Sequence, residues 1–191
     1  MKKSLLCLAA VFAVALTLPA AVFASGIQSG AAVYAAELSE DSDIWFPATE
    51  EILAEEAMIT AAAASDPSII LDDENPSGAG AGFAPMTTTT NSIGASRYSS
   101  TSGNVSAYAS FDRKATSASC TITLQEKYNG AWRNATGVPV KIYRKTITNS
   151  YSISAARTFT LVKGKVYRAK IRFVDTNSTG TYYKTRYTGS F

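Results

Sequence analysis

The chain contains no histidine at all. That absence removes Ser-His and Cys-His nucleophile pairs and every histidine metal ligand in one step. Cysteine is nearly missing too, with Cys7 and Cys120 the two in 191 residues. Lys and Arg are absent from Ser4 to Ser96, where twelve Asp and Glu residues stand. From Arg97 to Phe191 the shortage reverses: three acids, Asp112, Glu126 and Asp175, face sixteen basic residues. The near-neutral total of +3 therefore hides two opposed halves. Such asymmetry is a cue for an acidic arm or a polyanion partner. No phosphate-cradling glycine loop and no CxxC pair occurs, so nucleotide and thiol-metal chemistry have no motif to stand on.

What is present begins with a leader. Lys2 and Lys3 precede an apolar run from Leu5 to Leu18, and Val22-Phe23-Ala24 offers a small-residue cleavage site before Ser25. That is the layout of a secretory signal peptide over residues 1–24. The run is too short and Pro-interrupted for a membrane span, so none is expected after cleavage. Export makes the chain secreted and extracellular, with association to a cell wall as the expected setting. Removing the leader takes Cys7 with it and leaves Cys120 alone. The fold then has no internal disulfide, and Cys120 in Ala-Ser-Cys-Thr-Ile reads as a small buried hydrophobe.

Residues 25–86 read as an acidic, mostly disordered region with one helix near 48–64. The helix rests on Ala-rich content and on Glu50, Glu51, Glu55 and Glu56 early in its length. Its apolar stripe is thin, and Asp66-Pro67 ends it. Asn75-Pro76-Ser77-Gly78 opens a flexible linker. Residues 87–191 change character. Alternating Val, Ile, Tyr, Phe and Thr predict strands at 91–99, 104–111, 118–128, 131–135, 138–145, 151–161, 165–175 and 181–189. Asn129-Gly130 predicts a tight hairpin, and Val162-Lys163-Gly164 and Asn177-Ser178-Thr179-Gly180 predict two further turns. Seven or eight short strands in about 100 residues predict an all-β, antiparallel, immunoglobulin-like β-sandwich.

A resemblance adds to this. Leu161 and Tyr167 flank the turn before a strand that continues Ala169, Ile171, Phe173. That resembles the tyrosine corner of fibronectin type III and immunoglobulin-like domains, although Lys163 and Lys165 stand where those domains carry other residues. The chain is also similar to small secreted proteins of Gram-positive bacteria that end in such a sandwich. Tyr128-Asn129-Gly130-Ala131-Trp132 matches their Tyr-Asn-Gly-x-Trp hairpin. The resemblance covers the last hundred residues and implies a fold and a compartment, not an activity.

The candidate site is a charged strand face. Residues 165–173 read Lys-Val-Tyr-Arg-Ala-Lys-Ile-Arg-Phe, with Tyr167, Ala169, Ile171 and Phe173 on one parity and Arg168, Lys170 and Arg172 on the other. The expected basic surface adds Tyr182, Lys184 and Arg186 from the next strand. Lys141, Tyr143 and Lys145 extend it, and Trp132, just after the hairpin turn, is either a core residue or an exposed stacking platform that joins this surface. Its expected partner is an anionic cell-wall polymer or polysaccharide rather than nucleic acid. The acidic arm is expected to contact the Arg168–Arg172 row within the same molecule. The competing readings are a structural or adhesive surface protein with no polyanion role, and a hydrolase using Asp112, Glu126 or Asp175. Asp112 falls in a loop, Asp175 ends a strand beside a turn, and Glu126 falls on the inward parity near the rim, so no catalytic residue is assigned and no enzyme is expected. No cofactor or metal is expected either.

Overall fold

The computed structural model of the chain describes residues 45–74 and 91–191. The predicted signal peptide and the linker from Asn75 lie outside the described residues. The elements are β1 (Phe46–Pro47), α1 (Glu50–Ala63), β2 (Ile69–Glu74), β3 (Asn91–Ser99) and β4 (Ser102–Tyr128). They continue with β5 (Ala131–Asn134), β6 (Ile142–Thr160), β7 (Tyr167–Asn177) and β8 (Gly180–Tyr187). The fold is mostly β, as the alternation predicts. Its eight strands form one open sheet in the order β1-β8-β7-β4-β6-β2, with β3 and β5 also on β4.

Two pairs of predicted strands are fused. The stretches at 104–111 and 118–128 belong to the single strand β4; 151–160 and only the second half of 138–145 lie in β6. The two strands pair from Ser102↔Thr160 to Ser110↔Ser152 and again from Ala115↔Ser150 to Thr123↔Ile142. Between these stretches Phe111–Lys114 on β4 stand against Tyr151 alone on β6. The longer arc on one side bends the ribbon, as bulges do. Asp112-Arg113-Lys114 looks like a loop in sequence because it is polar and exposed, yet the backbone stays extended through it.

The bend brings both halves of the ribbon onto one core. Val105, Ala107 and Ala109 from the first half of β4, with Ile153, Ala155 and Phe159 from β6, join Cys120, Ile122, Leu124, Tyr167, Ala169, Ile171 and Phe173. Cys120 is fully buried there, and burial pushes its thiol up, away from the reactive thiolate. Phe191 closes the far side: a Cβ placed on Gly103 would lie 2.8 Å from its ring. Tyr167 is fully buried, and its hydroxyl accepts the Val162 N–H at 3.0 Å across the turn before β7. Asn129 and Gly130 take φ of 49° and 83°, the paired left-handed conformations of a two-residue hairpin.

The acidic region departs most from expectation, because residues 45–74 are strand, helix and strand. β1 pairs antiparallel with β8, and β2 pairs parallel with β6 from Ile69↔Ile142 to Glu74↔Ile147. The sheet is therefore mixed, although every pairing among β3 to β8 in the described residues is antiparallel. Both outer strands of the path come from the acidic region, where exposed backbone groups of an edge would otherwise stand open. The helix spans Glu50–Ala63, capped by the Thr49 hydroxyl, which accepts the Ile52 N–H. Its apolar seat is small: Ile59 against Ile69 and Ile142. No helix among the described residues is long and apolar enough to cross a membrane.

Candidate anion-binding face

The side chains of β7 divide as the period of two predicts. Tyr167, Ala169, Ile171 and Phe173 enter the core, and Arg168, Lys170 and Arg172 lie on the other face. β7 lies between β8 and β4. On β4 the residues facing the same way are Thr121, Thr123 and Gln125, paired with Arg172, Lys170 and Arg168. On β6 the position beside Thr121 is Arg144, a residue the sequence reading passed over.

The neighbouring strands contribute differently from the prediction. β8 meets β7 with Arg172↔Thr185, Lys170↔Tyr187 and Phe173↔Lys184. Lys184, Arg186 and Tyr182 therefore share the core-side parity with Phe173, Ile171 and Asp175, opposite the arginine row. The cause is the turn: pairing closes at Asn177↔Gly180 around two residues, and a one-residue change of register moves every side chain to the other face. Lys184 is buried to 1% exposure as a result. Tyr143 and Lys145 are likewise opposite Ile122 and Cys120, on the core side. Tyr143 is buried and donates its hydroxyl to Asp72 at 2.7 Å. Lys141 precedes β6 and pairs with Asp66 at 2.6 Å. Of the ten predicted residues, Arg168, Lys170, Arg172 and Trp132 share the outward face.

That face has a covered half and an open half. Helix α1 lies over the covered half and delivers two carboxylates. Glu55 reaches Arg172 at 2.7 Å and Lys170 at 3.6 Å. Glu56 reaches Arg144 at 2.9 Å and Arg172 at 3.6 Å, and Thr121 donates its hydroxyl to it at 3.4 Å. Arg144 Nη1 also donates to the Glu56 carbonyl and to Thr60. The Arg172 and Glu56 side chains are about as hidden as core residues, at 6% and 7% exposure. Part-burial raises the Glu55 carboxyl, but its bonds to Arg172 and Lys170 outweigh that and hold it below its ordinary value. The contact between the acidic arm and the Arg168–Arg172 row is thus formed at Arg172 and Lys170 but not at Arg168.

Arg168 belongs to the open half. Its guanidinium lies 4.7 Å from the Trp132 ring and 4.2 Å from the Tyr187 ring. Its Nε donates to Gln125 at 2.8 Å, which fixes the fork between the two rings. The Lys127 ammonium also stands 5.9 Å from the Trp132 ring. Trp132 is half-buried by these cations, so it is neither a core residue nor a bare platform.

Of the three acids of residues 97–191, Asp112 and Asp175 line one cavity and Glu126 stands apart from them. Glu126, opposite Tyr167, and Asp175, opposite Ala118, are eight positions apart along β4, roughly 26 Å at the rise of an extended strand. Paired hydrolytic carboxylates stand within about 10 Å. Glu126 is buried at the rim of the core, held by Arg133, Thr136 and Lys165. Burial opposes its charge, but these three donors prevail and bring the carboxyl down to about 2. A carboxylate so committed to its charged form is a poor general acid. Among the described residues no three His, Cys, Asp or Glu side chains are grouped as metal ligands. Comparison with family models, curated proteins and solved structures finds no match.

Proposed function

We propose that the protein is a secreted, non-enzymatic binding module for an anionic polymer, a cell-wall polymer or polysaccharide, with the outward face of β7 as its binding surface. The observation that carries this reading is that the row already holds carboxylates, the chain's own Glu55 and Glu56 on Arg172, Lys170 and Arg144. An external polyanion offers the same chemistry to the same cations. The open half, with Arg168 between Trp132 and Tyr187, is where such a polymer first docks, through charge and ring contact together. Helix α1 is a cover that competes for the rest. Within this reading the folded ribbon is an immunoglobulin-like sandwich in which β4 and β6 each serve both layers. The single core and the Tyr167 hydroxyl bond support that assignment.

The test is a salt series of binding to purified cell envelope and a panel of soluble polyanions. Arg168→Ala should weaken binding about fivefold or more at low salt. The pair Glu55→Gln with Glu56→Gln, in the full chain, should bind more tightly than wild type, with a gap that narrows as salt is added. Equal affinities at low salt would remove the cover from the proposal. Salt-independent binding lost on Trp132→Ala would support an adhesive surface protein instead.

A further inference from the structure

A separate cavity of about 280 Å³ lies on the core side of the sheet, where the bend of β4 meets the β7–β8 turn and the residue before β1. Trp45, Phe111, Asp112, Arg113, Asp175 and Tyr182 line it. Two of its lining residues each carry a buried polar atom with no hydrogen-bond partner. Asp175 is 5% exposed; its Oδ2 accepts from the Asn177 side chain at 2.8 Å, and its Oδ1 has no hydrogen bond. The Trp45 indole Nε1 has none either. One orphan is an acceptor and the other a donor, and a buried polar group without a partner is costly to leave so.

That combination narrows the ligand. A bare cation would meet Asp175 and leave the indole N–H unanswered. An anion would meet the indole and Arg113 but be repelled by Asp112 and Asp175. An apolar molecule would answer neither. A hydroxyl group donates and accepts at once. The walls suit a molecule with hydroxyl edges and C–H faces. Trp45 is held by Phe111 and Phe173, with ring centroids 5.7 Å and 6.3 Å away, and Tyr182 stands in the same lining. Burial first, and the negative charge of Asp112 after it, push the Asp175 carboxyl up despite the Asn177 bond. A carboxyl nearer its neutral form can also donate to a hydroxyl. At about 280 Å³ the cavity lies just below the roughly 300–1,000 Å³ range of small-molecule sites, which suits one ring rather than a chain segment.

We propose that this cavity binds a neutral sugar ring or comparable polyol, with Asp175 and the Trp45 indole as its hydroxyl-recognising groups. The site is on the opposite side of the sheet from Arg168, Lys170 and Arg172 and stands apart from the polyanion reading. An uncharged ligand also keeps the two tests distinct, since its binding should not weaken with salt.

The experiment is a titration of the full ¹⁵N-labelled chain with glucose, N-acetylglucosamine and sorbitol, followed by indole and side-chain amide signals. Trp45→Phe identifies which indole signal belongs to Trp45. Saturable shifts of that signal and of the Asn177 amide are expected, with dissociation constants on the order of millimolar. Trp45→Phe should weaken binding about tenfold, one hydrogen bond's worth. Asp175→Asn, nearly isosteric, should weaken it at least threefold even if the tryptophan variant proves unstable. A methyl glycoside and a disaccharide tell a free sugar from a chain end, and binding of either supports the proposal. No saturable shift at about 100 mM sugar, or larger shifts of the same signals with ammonium or calcium chloride, would overturn it.

Discussion

Two buried glutamates are each held by two cations, and the resemblance ends there. Glu126 takes its partners from its own surroundings: Arg133 across the β4–β5 hairpin, Thr136 just beyond it, and Lys165 from the turn before β7. Its carboxylate is buried while Arg133 and Lys165 keep 43% and 33% exposure, so the cations remain hydrated as they clamp it. Glu56 arrives on a helix and meets Arg144 and Arg172 in the middle of a sheet, all three largely hidden. One of its oxygens, Oε1, makes no hydrogen bond and stands 3.6 Å from Arg172. The first cluster is part of how the ribbon closes. The second joins an acidic cover to a basic face that would otherwise be wet. Ion pairs taken fully out of water add little net stability, because desolvation offsets the attraction. The cover is therefore held by few apolar contacts, chiefly Ile59, and by β2 and β1 at its flanks.

Of the two carboxylates, Glu126 is the one whose loss the whole fold should feel. Glu126→Gln should lower global stability by about 1–2 kcal/mol, since it removes a buried charge whose partners can still reach water. Denaturant unfolding followed by tyrosine and tryptophan fluorescence reads this. A variant with an unchanged midpoint would mean that the rim cluster is as dispensable as a surface pair.

Glu56→Gln should act locally. Amide exchange should quicken several-fold across residues 50–63, while β4 and β7 keep their protection. Uniform loss of protection in the sheet would show that α1 is an integral layer and not a cover.

The smallest effect is on pH dependence. Glu126 has its carboxyl lowered to about 2, below the ordinary 4.5. A lowered carboxyl contributes stability that is complete above the ordinary value and is lost as pH falls from there toward 2. Acid titration of wild type should therefore show a loss across that window that Glu126→Gln lacks. Asp175 works the other way: its raised carboxyl favours the folded state as pH falls through its own titration. If the two acid curves coincide, Glu126 is not the group responsible.

Much of the fold was legible because it is local. β3 spans the predicted residues, and α1 and β5 lie within a residue or two of their predictions, since periodicity, caps and turn residues act over a few positions. The inward placement of Tyr167 and Phe173 followed from strict alternation in β7. The site was less legible. β8 reads Gly-Thr-Tyr-Tyr-Lys-Thr-Arg-Tyr, with large and polar residues on both parities, so alternation cannot say which side faces the core.

The β class, the approximate place of most strands after residue 90, the Asn129-Gly130 turn, the separation of charge and the two faces of β7 can be read from the sequence. Each is a contrast between neighbours a few residues apart. That β4 and β6 run unbroken through a bend, that Lys184 turns inward and that Arg144 joins Arg172 follows from packing between distant strands. Packing also makes Glu56, 116 positions before Arg172 in sequence, the carboxylate that meets them both. Those outcomes depend on register across a sheet and on which charges lose their water together. Neither is written into any one stretch of chain.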